Sequence, residues 1–398
     1  MSRREPYSRS VPPTVWALGL VSLFMDISSE MIHALLPLFL VTTLGASAAV
    51  VGIIEGIAEA TASIVKVFSG WLSDRLGNRK WLTVAGYALG AVTKPVFALA
   101  VTPFEVLAAR FADRVGKGIR GAPRDALVAD VTPPEIRGKA YGVRQALDTV
   151  GAFAGPLLAI LLMLAYAGDM RAVFAWAIVP GAVSVLISIF AVNEPPRTQQ
   201  RPANGERIRF ADIRHVGAAY WTVVAIGAVF TMARFSEAFL VLRAQNVGLA
   251  ISYAPMVMVV MNVAYALVAT PAGAWSDRYD RRQILALSIV PLIAADIVLA
   301  YVPTVFGVIA GVAIWGVHMG MSQGLLAALV ADTVPAQQRG AAFGVFNLIS
   351  GVVLFFASFL AGWLWQAFGP EATFVAGGVF AIVSLVGVGL AVRRPARR

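Results

Sequence analysis

Residues 126–143, ALVADVTPPEIRGKAYGV, return as residues 328–345, ALVADTVPAQQRGAAFGV, and this repetition decides how the chain is read. The second copy keeps Ala-Leu-Val-Ala-Asp, then Pro, Arg-Gly, Ala and Gly-Val at an offset of 202 residues (126 to 328). Upstream, Gly70-Trp-Leu-Ser-Asp74-Arg75 returns as Gly273-Ala-Trp-Ser-Asp277-Arg278 at an offset of 203 (70 to 273). Two matches at nearly one offset, about half of a 398-residue chain, indicate two copies of one unit. The repeated pieces are polar loops rather than core, which in an apolar chain points to a transporter built from related halves.

Hydrophobic residues make up 59% of the chain and charged ones 14%, against roughly 25% charge in a typical soluble domain. Apolar runs of the roughly 20 residues needed to cross a bilayer recur throughout. Twelve are read, near 14–42, 47–72, 80–101, 104–128, 138–166, 172–193, 217–243, 250–275, 283–302, 304–331, 341–367 and 371–392. Such runs are too long for barrel strands, and open sheet edges cannot sit in lipid, so the spans are expected to be helices. The fold class is an all-α integral membrane protein of twelve transmembrane helices in two six-helix pseudo-symmetric halves. Its expected divisions are 1–192, a linker over 193–216, and 217–398.

The formal charge of +10 would suit a nucleic-acid partner if it were clustered on one face, but its distribution reports topology. With twelve spans, the groups at Arg3–Arg9, Arg75–Lys80, Arg137–Lys139, Arg197–Arg214, Arg278–Arg282, Arg339 and Arg393–Arg398 all fall on one side. The opposite loops are short and nearly uncharged. By the positive-inside rule the basic side, with both termini, is cytoplasmic, which places the chain in the cell (inner) membrane as a multi-pass protein. The stretch after MSRREPYSRS runs straight into Asp26-Ile-Ser-Ser-Glu30 without a small-residue cleavage site, so a first span is expected rather than a signal peptide. The linker's Arg207–His215 portion suits a short basic amphipathic helix on the lipid surface. Cysteine is absent, which removes disulfides, thiol catalysis and cysteine metal sites.

The loop Gly70-Trp-Leu-Ser-Asp74-Arg75-Leu-Gly77-Asn78-Arg79-Lys80 resembles the signature loop between the second and third helices of the major facilitator superfamily. A degenerate copy stands between helices eight and nine, with Asp280 where a Gly would be. The resemblance spans essentially the whole chain and implies a secondary transporter working by alternating access. It also implies that Gly70, Asp74, Arg75 and Arg79, with Gly273, Asp277 and Arg278, form a latch that holds the halves in the outward-open state and releases as they rock. In physical terms Gly70 would admit close helix packing, and Asp74 would accept N–H groups at a helix N-terminus.

Ionisable residues inside spans are costly and by default mark a substrate or ion pathway. The first span carries Asp26 and Glu30 four residues apart, on one face. The second carries Glu55 and Glu59, the third Lys94, and the fifth Arg144 and Asp148. The fourth carries Arg110, Asp113, Arg114, Lys117, Arg120, Arg124 and Asp125 as a broad stripe that cannot face lipid. Either these groups line a wet cavity or they form static ion pairs between helices, the expected fate of Arg110 and Asp125. Acids held in a low-dielectric cavity can exchange protons near neutral pH, and the basic stripe opposes that until substrate or movement separates them. Asp26, Glu30 and Arg114 are the candidates for proton coupling. The segment Arg114-Val-Gly-Lys117-Gly118 resembles a superfamily fourth-helix motif implicated in proton handling, with Lys117 in place of the usual Gln. The second half is quieter, with Arg234 and Glu237 in span seven and His318 and Gln323 in span ten as candidate cavity residues. Its Tyr253, Asn262 and Tyr265 are polar handles on a surface of shape and aromatic contact.

Gly151-Ala-Phe-Ala-Gly155-Pro156 in the fifth span resembles the Gly-x-x-x-Gly-Pro motif of the superfamily's antiporters, and it also suits plain helix packing. Together with Asp26 and Glu30 it favours proton-coupled export of a small organic solute; proton-coupled import of an anionic metabolite or chelate is the alternative. The basic stripe would suit an anionic solute and the acids of spans one and two a cation, so the substrate's charge stays open. No nucleophile motif, metal-ligand spacing or phosphate loop is present, so neither an enzyme, a metal site nor a cofactor is expected. The expected partners are a small-molecule substrate, protons and the lipid bilayer, with no nucleic acid, in a monomer.

Overall fold

The computed structural model describes residues 10–76, 78–194, 217–276, 278–322, 324–335 and 338–392, apart from the side chains of Trp71, Asp74, Ala391 and Val392. The expected roles of Asp74, Asp277 and Gln323 rest on side chains outside that set, and nearly all of the linker lies outside it too.

Regular structure among the described residues is entirely helical. The first half runs α1 (Pro13–His33), α2 (Leu36–Leu38) with a π turn at Phe39–Thr43, α3 (Ala48–Leu76), α4 (Arg79–Leu99), α5 (Pro103–Val131), α6 (Arg137–Ala165), α7 (Met170–Trp176) and α8 (Ile178–Phe190). The second half runs α9 (Ala218–Met232), α10 (Ala238–Asn246), α11 (Met256–Ser276), α12 (Arg281–Tyr301), α13 (Val305–Ser322), α14 (Leu325–Thr333), α15 (Arg339–Phe368) and α16 (Pro370–Val392). Ten of the helical stretches are long and apolar enough to cross a membrane. Two of the twelve expected spans are not among them, for opposite reasons. The fourth, α5, has the length but is too charged. The seventh is apolar but interrupted, so that α9 alone is short.

Helix starts follow local capping. The Asn78 side chain accepts from Trp81 N at 3.1 Å, and Thr102 with Glu105 closes a capping box at the head of α5. Asp280 accepts from Arg282 N at 2.8 Å. Asp280 therefore stands 202 residues after Asn78 in the same N-cap role, and this corrects its reading as a replaced loop glycine.

The repeat extends to the ion pairs at the basic ends of the helices. Arg79 pairs with Asp130 and donates to Ala126 O; Arg281 pairs with Asp332 at 2.6 Å. Arg137 Nε donates to Thr132 O at 3.3 Å and Arg339 Nε to Ala331 O at 3.2 Å. Each clamp ties the start of one helix to the end of another within its own half. Glu194 adds to the first by accepting from the backbone N–H groups of Arg79 and Lys80 at 3.0 and 2.9 Å. Arg79 and Arg281 thus each brace their own half through these pairs. Gly70 does not mark a forced approach: a Cβ there would meet Ala122 Cβ at 3.5 Å, an ordinary contact, and one at Gly273 would meet nothing within 4 Å. Arg75 and Arg278 are exposed.

The two halves meet mainly where α3 packs on α15, α6 on α11, and α2 on α10. A Cβ on Gly52 would sit 2.3 Å from Ser358 O and one on Gly362 2.5 Å from Ala48 O, so only glycine admits this approach of α3 and α15. These contacts lie toward the membrane surface opposite the basic loops. A separate apolar cluster around Val15, Leu18, Val21, Tyr87 and Leu127 fills the basic end of the first half by itself.

Candidate functional site

The first helix of each half breaks at the same place in the repeat. α1 ends at His33 and turns through Ala34 and Leu35, while α9 ends at Met232 and the chain unwinds over 233–237 before α10. Read as one apolar span, 217–243 hides this interruption. Interrupted helices place free backbone and side chains at membrane depth, where they must line a cavity or be buried in protein.

Between the halves lies a cavity of about 440 Å³. Glu30, His33, Glu59, Ser63, Arg114 and Lys117 line it from the first half. The unwound turn contributes Arg234, Phe235, Ser236 and Glu237, and α11 and α13 add Met258, Met261, Asn262, Trp315 and Met319. Asn262 also donates to Ala152 O at 3.2 Å, joining the halves at the cavity wall.

One face of the cavity continues into a buried chain of charges. His33 Nδ1 lies 3.6 Å from Glu30 Oε2, and His33 Nε2 lies 3.5 Å from Glu55 Oε2. Glu55, 1% exposed, accepts from Arg110 Nη2 at 2.9 Å and from Ser236 Oγ at 3.4 Å. Ser236 N in turn donates to Ser358 Oγ on α15 at 3.2 Å. The carboxylate of Glu55 is thus shared between charged groups of the first half and the broken helix of the second. In the sequence the signal for His33 is its helical spacing in Glu30-x-x-His33, a spacing that sets the two side chains on one face.

The stripe on α5 does not face one cavity; it divides. Arg110, Arg114 and Lys117 turn toward α3 and the cavity, with Arg114 Nη1 3.3 Å from Glu59 Oε1. Asp113, Arg120 and Arg124 turn toward α4 and α1. Lys94 Nζ donates to Asp113 Oδ1 at 2.9 Å and to Ser29 Oγ at 3.0 Å. The Arg120 guanidinium lies over the Tyr87 ring, 4.6 Å from its centroid. Arg124 Nη1 donates to Ser22 Oγ at 2.8 Å. Arg144 Nη1 donates to Asp148 Oδ2 at 2.6 Å on the same helix. Of the residues expected in the cavity, Glu59, Lys117, Arg234 and Glu237 line it. Glu55, Lys94, Arg120, Arg144, Asp148 and His318 do not, because each is drawn into a packed pair or core site. His318 is fully buried, with Nδ1 2.6 Å from Ser288 O and its ring against Phe230.

Asp26 is off the lining and has no ion pair among the described residues. Gly151 and Gly155 bring α6 onto this part of α1. A Cβ at Gly151 would meet Leu23 O at 2.7 Å and Asp26 Cβ at 2.9 Å, and one at Gly155 would meet Glu30 Cβ at 2.8 Å. The Gly-x-x-x-Gly motif therefore seats the helix that bears the two acids. In the second half, Asp296 on α12 is 1% exposed and neither oxygen has a hydrogen-bond partner among the described residues. A lone acid in an apolar span carries no periodic signal in the sequence.

The sequence profile of the Major Facilitator Superfamily matches residues 18–243 and 224–398. An uncharacterized MFS-type transporter of Methanocaldococcus jannaschii is 30% identical over 390 residues, covering 96% of both chains. The inner membrane transport protein YajR of Escherichia coli is 24% identical over 380 residues, covering 93% of this chain and 81% of its own. Among solved structures, a point mutant of the nucleoside transporter NupG superposes with a TM-score of 0.80 at 14% identity, over 96% of this chain and 100% of that one. A cavity between two repeated halves, a broken first helix in each, and a family match along nearly the whole length lead to one assignment: the chain belongs to the major facilitator superfamily and is a multi-pass secondary transporter.

Proposed function

We propose that this transporter couples proton movement to the export of a small organic solute, with the basic end of the bundle facing the cytoplasm. The observation that carries the reading is the chain Glu30–His33–Glu55. An acid on the cavity wall is linked through an imidazole to a second acid, which also touches the other half at Ser236. A proton taken up at Glu30 alters the charge that His33 and Glu55 share, and with it the contact between halves. Asp26 and Arg114 flank this chain, as the sequence suggested, and His33 and Glu55 join them as coupling residues. The contacts between halves lie toward the surface opposite the basic loops, which supports a cavity reached from the cytoplasmic side in this state. The halves divide at 1–192 and 217–398 with 193–216 as linker, and nothing in the reading requires more than one copy of the chain.

The test is transport in proteoliposomes with an imposed pH gradient. Export coupled to protons predicts solute movement against the proton flow, and loss of that dependence in Glu30→Gln and His33→Gln while downhill exchange of solute persists. Gradient dependence equal to wild type in both variants sinks the proton chain; movement with the proton flow makes the protein an importer.

A further inference from the structure

Among the described residues six formal charges face the cavity: Glu30, Glu59 and Glu237 against Arg114, Lys117 and Arg234. They cancel. The seventh titratable lining group, His33, is held between Glu30 and Glu55, and Glu55 is itself matched by Arg110. The balance is also divided in space. Arg114 is engaged by Glu59, and Arg234 lies over the Phe230 ring, 5.6 Å from its centroid. Lys117 and Glu237, on opposite walls, have neither a hydrogen bond nor an ion pair among the described residues. Lys117 stands on α5 in the first half; Glu237 stands on the unwound turn of the second.

We infer that the transported solute is a small amphipathic zwitterion, its anionic group meeting Lys117 and its cationic group meeting Glu237. This rests on the cavity being the transport site. A solute with net charge would enter a balanced, partly desolvated site and leave one charge without compensation, which is costly away from bulk water. A solute without charge would leave Lys117 and Glu237 as they are, desolvated by its arrival and unpaired. Only a solute carrying both signs answers both groups. Its ends must reach opposite walls, so binding draws the first half and the broken helix of the second toward one ligand. The body between the charges meets Phe235, Trp315, Met258, Met261 and Met319, an apolar and adaptable surface. Asn262, already bound to Ala152 O, offers one further polar contact.

One scaffold in four charge states tests this: L-phenylalanine as the zwitterion, its methyl ester as the cation, N-acetyl-L-phenylalanine as the anion, and the N-acetyl methyl ester as the neutral form. Because the chain has no cysteine, Ser63→Cys provides a single reporter on the cavity wall, and protection from a water-soluble maleimide reads occupancy without any transport step. The zwitterion is expected to protect at concentrations at least tenfold lower than the other three. Lys117→Gln should move the preference to the methyl ester and Glu237→Gln to the N-acetyl acid, since each leaves the lining with the complementary excess. Thermal shift of the same variants confirms that they are folded. Best protection by a singly charged or neutral form, or none by any of the four, overturns the zwitterion assignment and leaves the cavity standing. A reporter that the maleimide cannot reach in the unliganded protein removes the cavity reading itself.

Discussion

The pair Arg110–Glu55 offers the sharpest test of the buried chain, because both side chains are nearly inaccessible, at 2% and 1% exposure, and bonded at 2.9 Å. Arg110→Met removes the guanidinium and leaves Glu55 with Ser236 Oγ at 3.4 Å and the His33 ring at 3.5 Å. Removing one partner of a buried ion pair costs about 3–5 kcal/mol, because the other charge stays buried without compensation. That is a large part of the ~5–15 kcal/mol that holds a typical fold together. Glu55→Leu should cost a similar amount, since it strands Arg110. The double variant removes both charges together and should fall within about 1–2 kcal/mol of wild type, the remainder being the lost Ser236 bond and imperfect packing. The cycle therefore predicts a strong negative non-additivity.

Equilibrium unfolding in mixed micelles, followed by tryptophan fluorescence, measures all four corners. A cost for Arg110→Met below about 1 kcal/mol would mean that water reaches the pair and the site is effectively a surface one. A double variant as unstable as the sum of the singles would mean that the two charges do not act on each other. Either result refutes the reasoning. The folded double variant has a second use: its charge chain ends at His33, so on the proposed mechanism it should carry solute with weakened dependence on the pH gradient.

Gly155→Leu should cost about 1–3 kcal/mol and most of the transport rate, because its Cβ would fall 2.8 Å from Glu30 Cβ and 2.9 Å from Ile27 O; Gly142→Ala, with nothing within 4 Å, should unfold at the wild-type denaturant concentration or slightly above it. The repeated clamps should differ in strength: Asp332→Asn is expected to cost no more than about 1 kcal/mol, since Arg281 and Asp332 are both substantially exposed, whereas Asp130→Asn should cost more because Arg79 is 3% exposed. Asp296→Asn should raise the thermal unfolding midpoint, because the carboxyl is buried without a hydrogen-bond partner among the described residues and the amide removes an ionisable group from that position; a lowered midpoint would point to a partner for Asp296.

How much of this was readable from the chain depended on the distance between cause and effect. The repeat and the spans were legible because they are carried by contiguous residues: eighteen-residue copies and long apolar runs. The partners of the repeated charges were not, since Arg79 meets Asp130 across 51 positions, and one sequence does not say which helices touch. The α5 stripe is legible as a set of charges that need partners, and its members pair with α1, α3, α4 and α6 or line the cavity. Its division failed because residues at steps of three and four turn slowly around the helix, so Arg110 and Arg124 end on different neighbours. The interruption at 233–237 was hidden by the apolar residues on either side, although Arg234 and Glu237, three apart in such a run, marked the place where a continuous lipid-facing helix would be least tolerable.

The two halves repeat the same mechanical device and differ in what they load onto it. Each has a first helix that breaks partway, after His33 in one and over residues 233–237 in the other, and the helices resume at Leu36 and Ala238, 202 residues apart (36 to 238). Only the first half surrounds its break with a dense set of buried charges; the second surrounds its own with Phe235, Phe239, Trp315 and Phe374 in edge and tilted ring contacts. Glu55 is where the two meet. On the proposed mechanism, rocking the halves apart at α3 and α15 withdraws Ser236 from Glu55, and the carboxylate must then draw more on His33 and Arg110. Its hold on His33 sets how His33 is shared with Glu30, and Glu30 faces the solute. Proton and solute need not touch for each to sense the other, because one movement changes the partners of a single carboxylate.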